Sequence, residues 1–204
     1  MNIKPPHWGV SVIPVPPEVK GLIFDCDGTL ADTMPVHWKA WHETLAAYGK
    51  TCPQAFLERC MGIPSVRIVS LYNAAFGEKL DPQRFSADKD RRSHEGLAHV
   101  GPIVQVVDVV RRYHGRLPMA VASGGIRMNV DTALEAIGLR GYFETIITAD
   151  DDVPPKPSPG IFIEAARRLK VDPAYCQVFE DGEAGLEAAR KAGMIATDIR
   201  PYLK

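Results

Sequence analysis

The sequence has no charge excess of either sign. Its 24 Lys and Arg face 25 Asp and Glu, a net charge of -1. The basic footprint that a nucleic-acid backbone demands is missing, and nucleic acid is not an expected partner. Long apolar runs are absent too, and the first 20 residues, MNIKPPHWGVSVIPVPPEVK, carry five prolines instead of an uninterrupted apolar stretch. This composition predicts neither a membrane span nor a secretory leader, and it predicts an irregular, surface-lying extension over 1–18. Cysteine is scarce. Cys26, Cys52, Cys60 and Cys176 form no CxxC pair, and two of them fall in apolar runs where a thiol acts as a small hydrophobe. A reducing, cytoplasmic setting fits that usage. No internal repeat or low-complexity tract is present.

What is there is an ordinary globule of 204 residues, 46% apolar and 24% charged, long enough for a sizeable core. From Val19 onward, apolar runs of strand length alternate with helix-period segments: GLIFDC, LPMAVAS (117–123), ETIITAD (144–150), CQVFED (176–181) and MIATDI (194–199). Continuous apolar strands separated by helices predict a parallel sheet covered on both faces, a doubly wound, Rossmann-like α/β core over 19–31 and 102–204. Residues 34–113 hold only helical patterning, more chain than one crossover needs. Met34, Trp38, Trp41, Leu45 and Tyr48 recur at spacings of four and three, with Asp32 or Thr33 available to cap and Gly49 to stop the helix. Further helices are expected near 53–60, 64–77 and 81–99, the last mostly polar. So 32–101 is predicted to be an all-helical cap inserted after the first strand. Short crossover helices follow over 124–137, 157–169 and 182–191.

In an open α/β sheet, ligands bind beyond the carboxyl ends of the strands. The residues just after the apolar runs are Asp25 and Asp27, Ser123, Asp150 to Lys156, and Glu180 with Asp181. Two carboxylates about 4 Å apart repel by about 4 kcal/mol at an effective dielectric of 20, so such a cluster needs a cation or a proton. Mg²⁺ takes oxygen ligands from carboxylates and phosphate, which suits Asp25 and Asp181 with Glu180 in support. Asp27, held partly protonated by its acidic neighbours, is expected to give a proton to a leaving oxygen and later take one from water. Lys156, fixed between the prolines of PPKPSP, and Ser123 with Gly124 and Gly125 at a helix start, are expected to hold phosphate oxygens. Together these parts describe phosphoryl transfer through an aspartyl-phosphate. An EF-hand reading of DCDG fails, because Gly28 is fourth and Val36 twelfth where that loop wants glycine sixth and an acid twelfth.

In order, DCDGTLADT, VASGG, PPKPSP and FEDGEAGLEAA resemble the four motifs of the haloacid dehalogenase phosphotransferase superfamily over about 20–200. The helical insertion after the first motif resembles the β-phosphoglucomutase-like subgroup. The resemblance implies Asp25 as nucleophile and Asp27 as general acid/base whose main-chain carbonyl also touches Mg²⁺. It further implies Ser123 and Lys156 as phosphate holders, and Glu180 and Asp181 at the metal. DTMPVHWKAW resembles the start of the mutase cap and implies His37 at the sugar end of the site. A mutase cap, however, carries a lysine before its glycine and an arginine three residues after it, where this chain has Met61 and Ser65 around Gly62. MGIPSVRI and DVVRRYHGRLPMAVASG are closer to bacterial sugar phosphatases of the fructose-1-phosphate and 6-phosphogluconate type. That likeness implies Arg67, and more weakly Arg127, as substrate-binding. The expected activity is a Mg²⁺-dependent phosphatase of small phosphorylated sugars. β-phosphoglucomutase is the alternative, and a non-catalytic receiver module phosphorylated on Asp25 a third.

Overall fold

The computed structural model describes residues 12–203. Five strands, β1 (Gly21–Phe24), β2 (Met119–Ala122), β3 (Thr145–Ile147), β4 (Cys176–Glu180) and β5 (Ile195–Asp198), form one sheet in the order β3-β2-β1-β4-β5. Every pairing is parallel. The predicted parallel core is therefore the observed one. Period-two alternation divides its side chains between two apolar clusters. Leu22, Phe24, Val121 and Phe179 pack on one face, and Ile23, Ala120, Ala122 and Val178 on the other. Phe24 stacks on Phe179 across the central pair, ring centroids 4.7 Å apart. Each such buried side chain contributes about 1.5–3 kcal/mol.

Four helices lie between β1 and β2 before the crossover helix: α1 (Met34–Ala47), α2 (Gln54–Glu58), α3 (Ser65–Phe76) and α4 (Pro82–Leu97). They enclose a third apolar cluster of their own, built on Trp41, Leu45, Leu57, Val69, Tyr72 and Phe85. The chain enters and leaves this cap through two strands of backbone held side by side, Asp32 N donating to Gly101 O and Ile103 N to Leu30 O, both at 2.9 Å. Helix α5 (Val104–Tyr113) then leads to β2. Helices α6 (Arg127–Ala136), α7 (Gly160–Leu169) and α8 (Glu183–Lys191) make the remaining crossovers. Both α6 and α7 start three residues later than predicted. The double glycine 124–125 and the Pro155–Pro159 turn use those residues as loop, with Ser158 N donating to Pro155 O.

Two expectations need correction. Thr33 sits at the N-cap of α1 without capping it, because its hydroxyl donates to Asp27 Oδ1 at 2.9 Å instead. The proline-rich start is irregular and mostly exposed over 12–18, yet it sends one side chain into the core. Ile13 is fully buried in the first core cluster, and Gln177 Nε2 donates to Pro14 O at 3.0 Å. Residues 1–11 lie outside the described residues. The periodicity of 12–18 is too short to signal burial, yet Ile13 and Val15, flanking Pro14, both pack on the first core cluster. Ile13→Ala is expected to cost about 2–4 kcal/mol in urea denaturation. A surface role for this segment would show less than about 0.5 kcal/mol.

Candidate active site

The strand order reverses between β1 and β4, and that switch point gathers the acids. The registers set Phe24 beside Phe179 and Val121, so Asp25 and Glu180, one residue further on, and Ser123, the first residue past β2, emerge on one edge. Asp25 N donates to Phe179 O at 3.1 Å, which holds the first loop against β4. Asp25, Glu180 and Asp181 are all buried, each offering a carboxylate oxygen within 4.8 Å of the others'. Lys156 has no side-chain exposure. Its Nζ lies 2.7 Å from Asp25 Oδ1 and also bonds Glu180 Oε1. The other oxygen of Glu180 accepts from the backbone N–H groups of Asp181 and Gly182 at 3.1 Å, while Asp181 Oδ1 accepts from Thr29 Oγ1 at 2.7 Å. Gly28 makes the turn possible. Its φ is +82°, and a Cβ there would run into the Asp181 carboxylate.

Three negative groups against one lysine leave the cluster short of positive charge. Burial, and then Glu180, push the Asp25 carboxyl well above its ordinary value despite Lys156. Burial and Glu180 likewise push Asp181 up to about 7. A hard divalent cation on these oxygens would supply the missing charge, and the donor set fits Mg²⁺. Because Asp181 titrates near 3.8 when unfolded, the folded chain holds the extra proton between about pH 4 and 7. This group's contribution therefore falls as pH rises through that window. In EDTA, the protein is expected to lose stability from about pH 5 to about pH 8 more steeply than Asp181→Asn does. Urea midpoints of both proteins across the range measure it, and equal slopes would contradict the charge deficit.

Asp27 and Asp25 both line a recess of about 650 Å³, including space open to solvent, between the core and the cap. Asp27 Oδ1 accepts from Thr33 and lies 3.0 Å from His37 Nε2, and its Oδ2 accepts from Ser123 Oγ at 3.2 Å. His37 Nδ1 lies 3.0 Å from Lys89 Nζ. An ammonium only donates, so Nδ1 accepts and the ring proton sits on Nε2, aimed at Asp27. Burial alone would raise Asp27, but His37, Thr33 and Lys89 outweigh it and hold the carboxyl below the usual carboxylate range. The expected partly protonated Asp27 is thus corrected. Its contacts are donors, Thr33 and His37 from the cap and Ser123 from the core, while Asp25 and Glu180 bond Lys156.

The other expected residues are placed as follows. Ser123 receives a hydrogen bond from Gly125 N at 3.0 Å. Gly124 lies under the cap loop, where a Cβ would stand 2.5 Å from Gly62 O, so core and cap backbones touch directly over the site. The start of α6 is already satisfied, Arg127 N donating to Asp150 Oδ2 at 2.7 Å. Arg127 binds Asp131 and Ile146 O and ties α6 to β3 rather than reaching the recess. Arg67 is exposed on a second cleft, beside Ser123, Gly124 and the stem of Lys156. It lies two positions, about 200° of helix, past Ser65, which faces the first recess.

Sequence reasoning missed Lys89, Asp90 and Thr29. Lys89 is buried on the α4 face that also carries Phe85, Ser93 and Leu97. A lone lysine in an i, i+4 ladder ending in Phe and Leu was a readable signal. Asp90 Oδ1 joins Lys89 and Ser65, each at 3.2 Å.

The model of the haloacid dehalogenase-like hydrolase family matches residues 22–198. The chain belongs to that family. Among its relatives, the fructose-1-phosphate phosphatase YqaB of Escherichia coli is 39% identical over 180 residues, covering 88% of this chain and 96% of that protein. A phosphorylated carbohydrates phosphatase of Thermotoga maritima is 28% identical, covering 86% and 82%. The crystal structure of CbbY from Rhodobacter sphaeroides in complex with phosphate superposes with a TM-score of 0.77 at 26% identity, covering 87% and 84%. All four motifs of this haloacid dehalogenase-like chain fall inside the matched range. No helix among the described residues is long and apolar enough to cross a membrane, and the four cysteines are free and buried.

Proposed function

We propose that the protein is a Mg²⁺-dependent phosphatase of small phosphorylated sugars, of the fructose-1-phosphate type, working through an aspartyl-phosphate in the cytoplasm. The observation that carries the reading is the junction of a buried acid cluster with an open recess at Asp25, which belongs to both. A buried, charge-deficient cluster of Asp25, Glu180, Asp181 and Lys156 adjoins a recess in which Asp27 faces cap groups. The sugar-phosphate phosphatases among the relatives support the substrate class.

Mg²⁺ held by Asp25, Glu180 and Asp181, with the main-chain carbonyl of Asp27, would neutralise charge between the nucleophile and the phosphate. Asp25 attacks phosphorus in line while Lys156, the Ser123 hydroxyl and the Gly124 backbone hold phosphate oxygens. Asp27 meets the leaving sugar oxygen. An anionic ester beside Asp27 raises its proton affinity, so it takes up a proton as substrate binds and passes it to that oxygen. It then accepts a proton from the water that cleaves the aspartyl-phosphate. His37 and Lys89, with Trp38 on the same wall, are assigned to the sugar, and Arg67 to the outer cleft on the phosphate side.

A panel of phosphorylated sugars, fructose-1-phosphate included, is expected to release phosphate with Mg²⁺ and to lose at least about 10²-fold of that rate in EDTA. Glucose-1-phosphate converted to glucose-6-phosphate without free phosphate would replace this reading with the mutase. A stable acyl-phosphate without turnover would replace it with the receiver module.

A further inference from the structure

Asn129 is buried on α6, in the core, yet its side chain serves the cap. Its Oδ1 lies 3.1 Å from His94 Nδ1, and its Nδ2 lies 3.4 Å from both Asp90 O and Ser93 Oγ. All three partners belong to one turn of α4. Ser93 Oγ also donates to Asp90 O at 2.9 Å, which closes that turn on itself. Among the described residues, Asn129 is the one core side chain hydrogen-bonded to α4. The residue that begins the turn is Lys89, whose Nζ reaches His37, whose Nε2–H reaches Asp27. A helix is stiff over one turn, so where residues 90–94 dock decides where the backbone of Lys89 sits.

We propose that Asn129 is a positioning residue: by docking α4 onto α6 it holds Lys89, and through it the ring of His37, on the carboxylate of Asp27. The inference rests on the proposed role of Asp27 at the leaving oxygen. It explains why a carboxamide occupies this place. An amide offers one acceptor to the imidazole and donors to a carbonyl and a hydroxyl, whereas a carboxylate would repel Asp90 and an apolar side chain would satisfy neither. A displacement of α4 by about 1 Å would break the 3.0 Å contact of Lys89 with His37, and misplacement on that scale costs as much as about 10²-fold in rate.

The test compares leaving groups. The value of kcat/KM covers the steps up to leaving-group departure, so a sugar alkoxide needs the proton from Asp27 and a p-nitrophenolate barely does. Asn129→Leu is expected to lose about 30-fold in kcat/KM on fructose-1-phosphate and less than about 3-fold on p-nitrophenyl phosphate. In a Lys89→Met background the same substitution is expected to cost less than about 3-fold on either ester, because the group it positions is gone. Should Asn129→Leu fail to fold, His94→Phe removes the Oδ1 partner from the half-buried cap side. It is expected to lose about 5-fold on the sugar ester alone. Equal losses on both esters, no loss on either, or an undiminished effect in the Lys89→Met background would overturn the docking role. Failure of the phosphatase reading looks different, since the unmodified protein would then release phosphate from neither ester.

Discussion

Asp25→Asn is expected to lose at least about 10⁴-fold in phosphate release from any substrate the protein accepts, without losing its fold. An amide oxygen is a poor nucleophile toward phosphorus, and the acid proposed to form the covalent intermediate has no neighbour able to replace it. Asp27, the nearest alternative, has its oxygens engaged by Thr33, His37 and Ser123. Stability should move little or rise. In the free protein, burial and the Glu180 charge already disfavour ionised Asp25, so a neutral amide relieves repulsion and still accepts from Lys156. Substrate should bind to the variant without turning over. Steady-state phosphate release together with a thermal melt measures both parts. Residual turnover within about tenfold of the unmodified protein would remove Asp25 from the chemistry.

Lys156→Met is expected to give the largest loss of stability of any single substitution at this site, together with loss of turnover. The ammonium is fully enclosed and bonds Asp25 and Glu180 at once. Burial would lower its pKa, but those two carboxylates outweigh burial and hold it above the ordinary lysine value. Removing one partner of a buried charge cluster strands the others, which costs about 3–5 kcal/mol. A chain of this length shifts its melting temperature by about 2–4 °C per kcal/mol, so a fall of roughly 6–20 °C is expected. The stranded carboxylates take up protons more readily, so the deficit should shrink toward about pH 5 and should also shrink on adding Mg²⁺. A deficit independent of both would mean that lost packing, including the contact of Lys156 with the Phe162 ring, outweighs the charge. In that case Lys156→Arg would not restore the pH dependence either.

Most of the core was legible because burial on both faces leaves a coarse imprint. GLIF and MAVA are continuous apolar runs, CQVFE is one interrupted by Gln177 and ended by Glu180, and short crossovers leave a parallel sheet little freedom. The cluster at the strand ends was legible for the same reason, since Asp25, Ser123 and Glu180 each follow an apolar run directly. The cap resisted reading. Its helices were found from periodicity, but which polar side chain turns inward depends on how four helices rotate against each other, and spacing does not carry that. Lys89 sits on a helix that reads as solvated, and Arg67 follows from the likeness of MGIPSVRI although two residues of helix turn it away from Ser65. The burial of Ile13 was not legible because prolines signal irregular backbone and say nothing about which neighbour it lies against.

By itself the sequence determined the parallel core, the helical insertion and the set of acids, hydroxyl and lysine at the strand ends, because alternation and strand termini are local properties of the chain. Only the tertiary structure decided the charge state of Asp27 and the company it keeps. That carboxylate looks acidic-flanked in sequence, yet the cap brings His37, Thr33 and Lys89 to it while Lys156 faces Asp25 and Glu180. Proton affinity depends on distance in space, falling off over a few ångströms, and neighbours in the chain are not the charges a folded side chain meets.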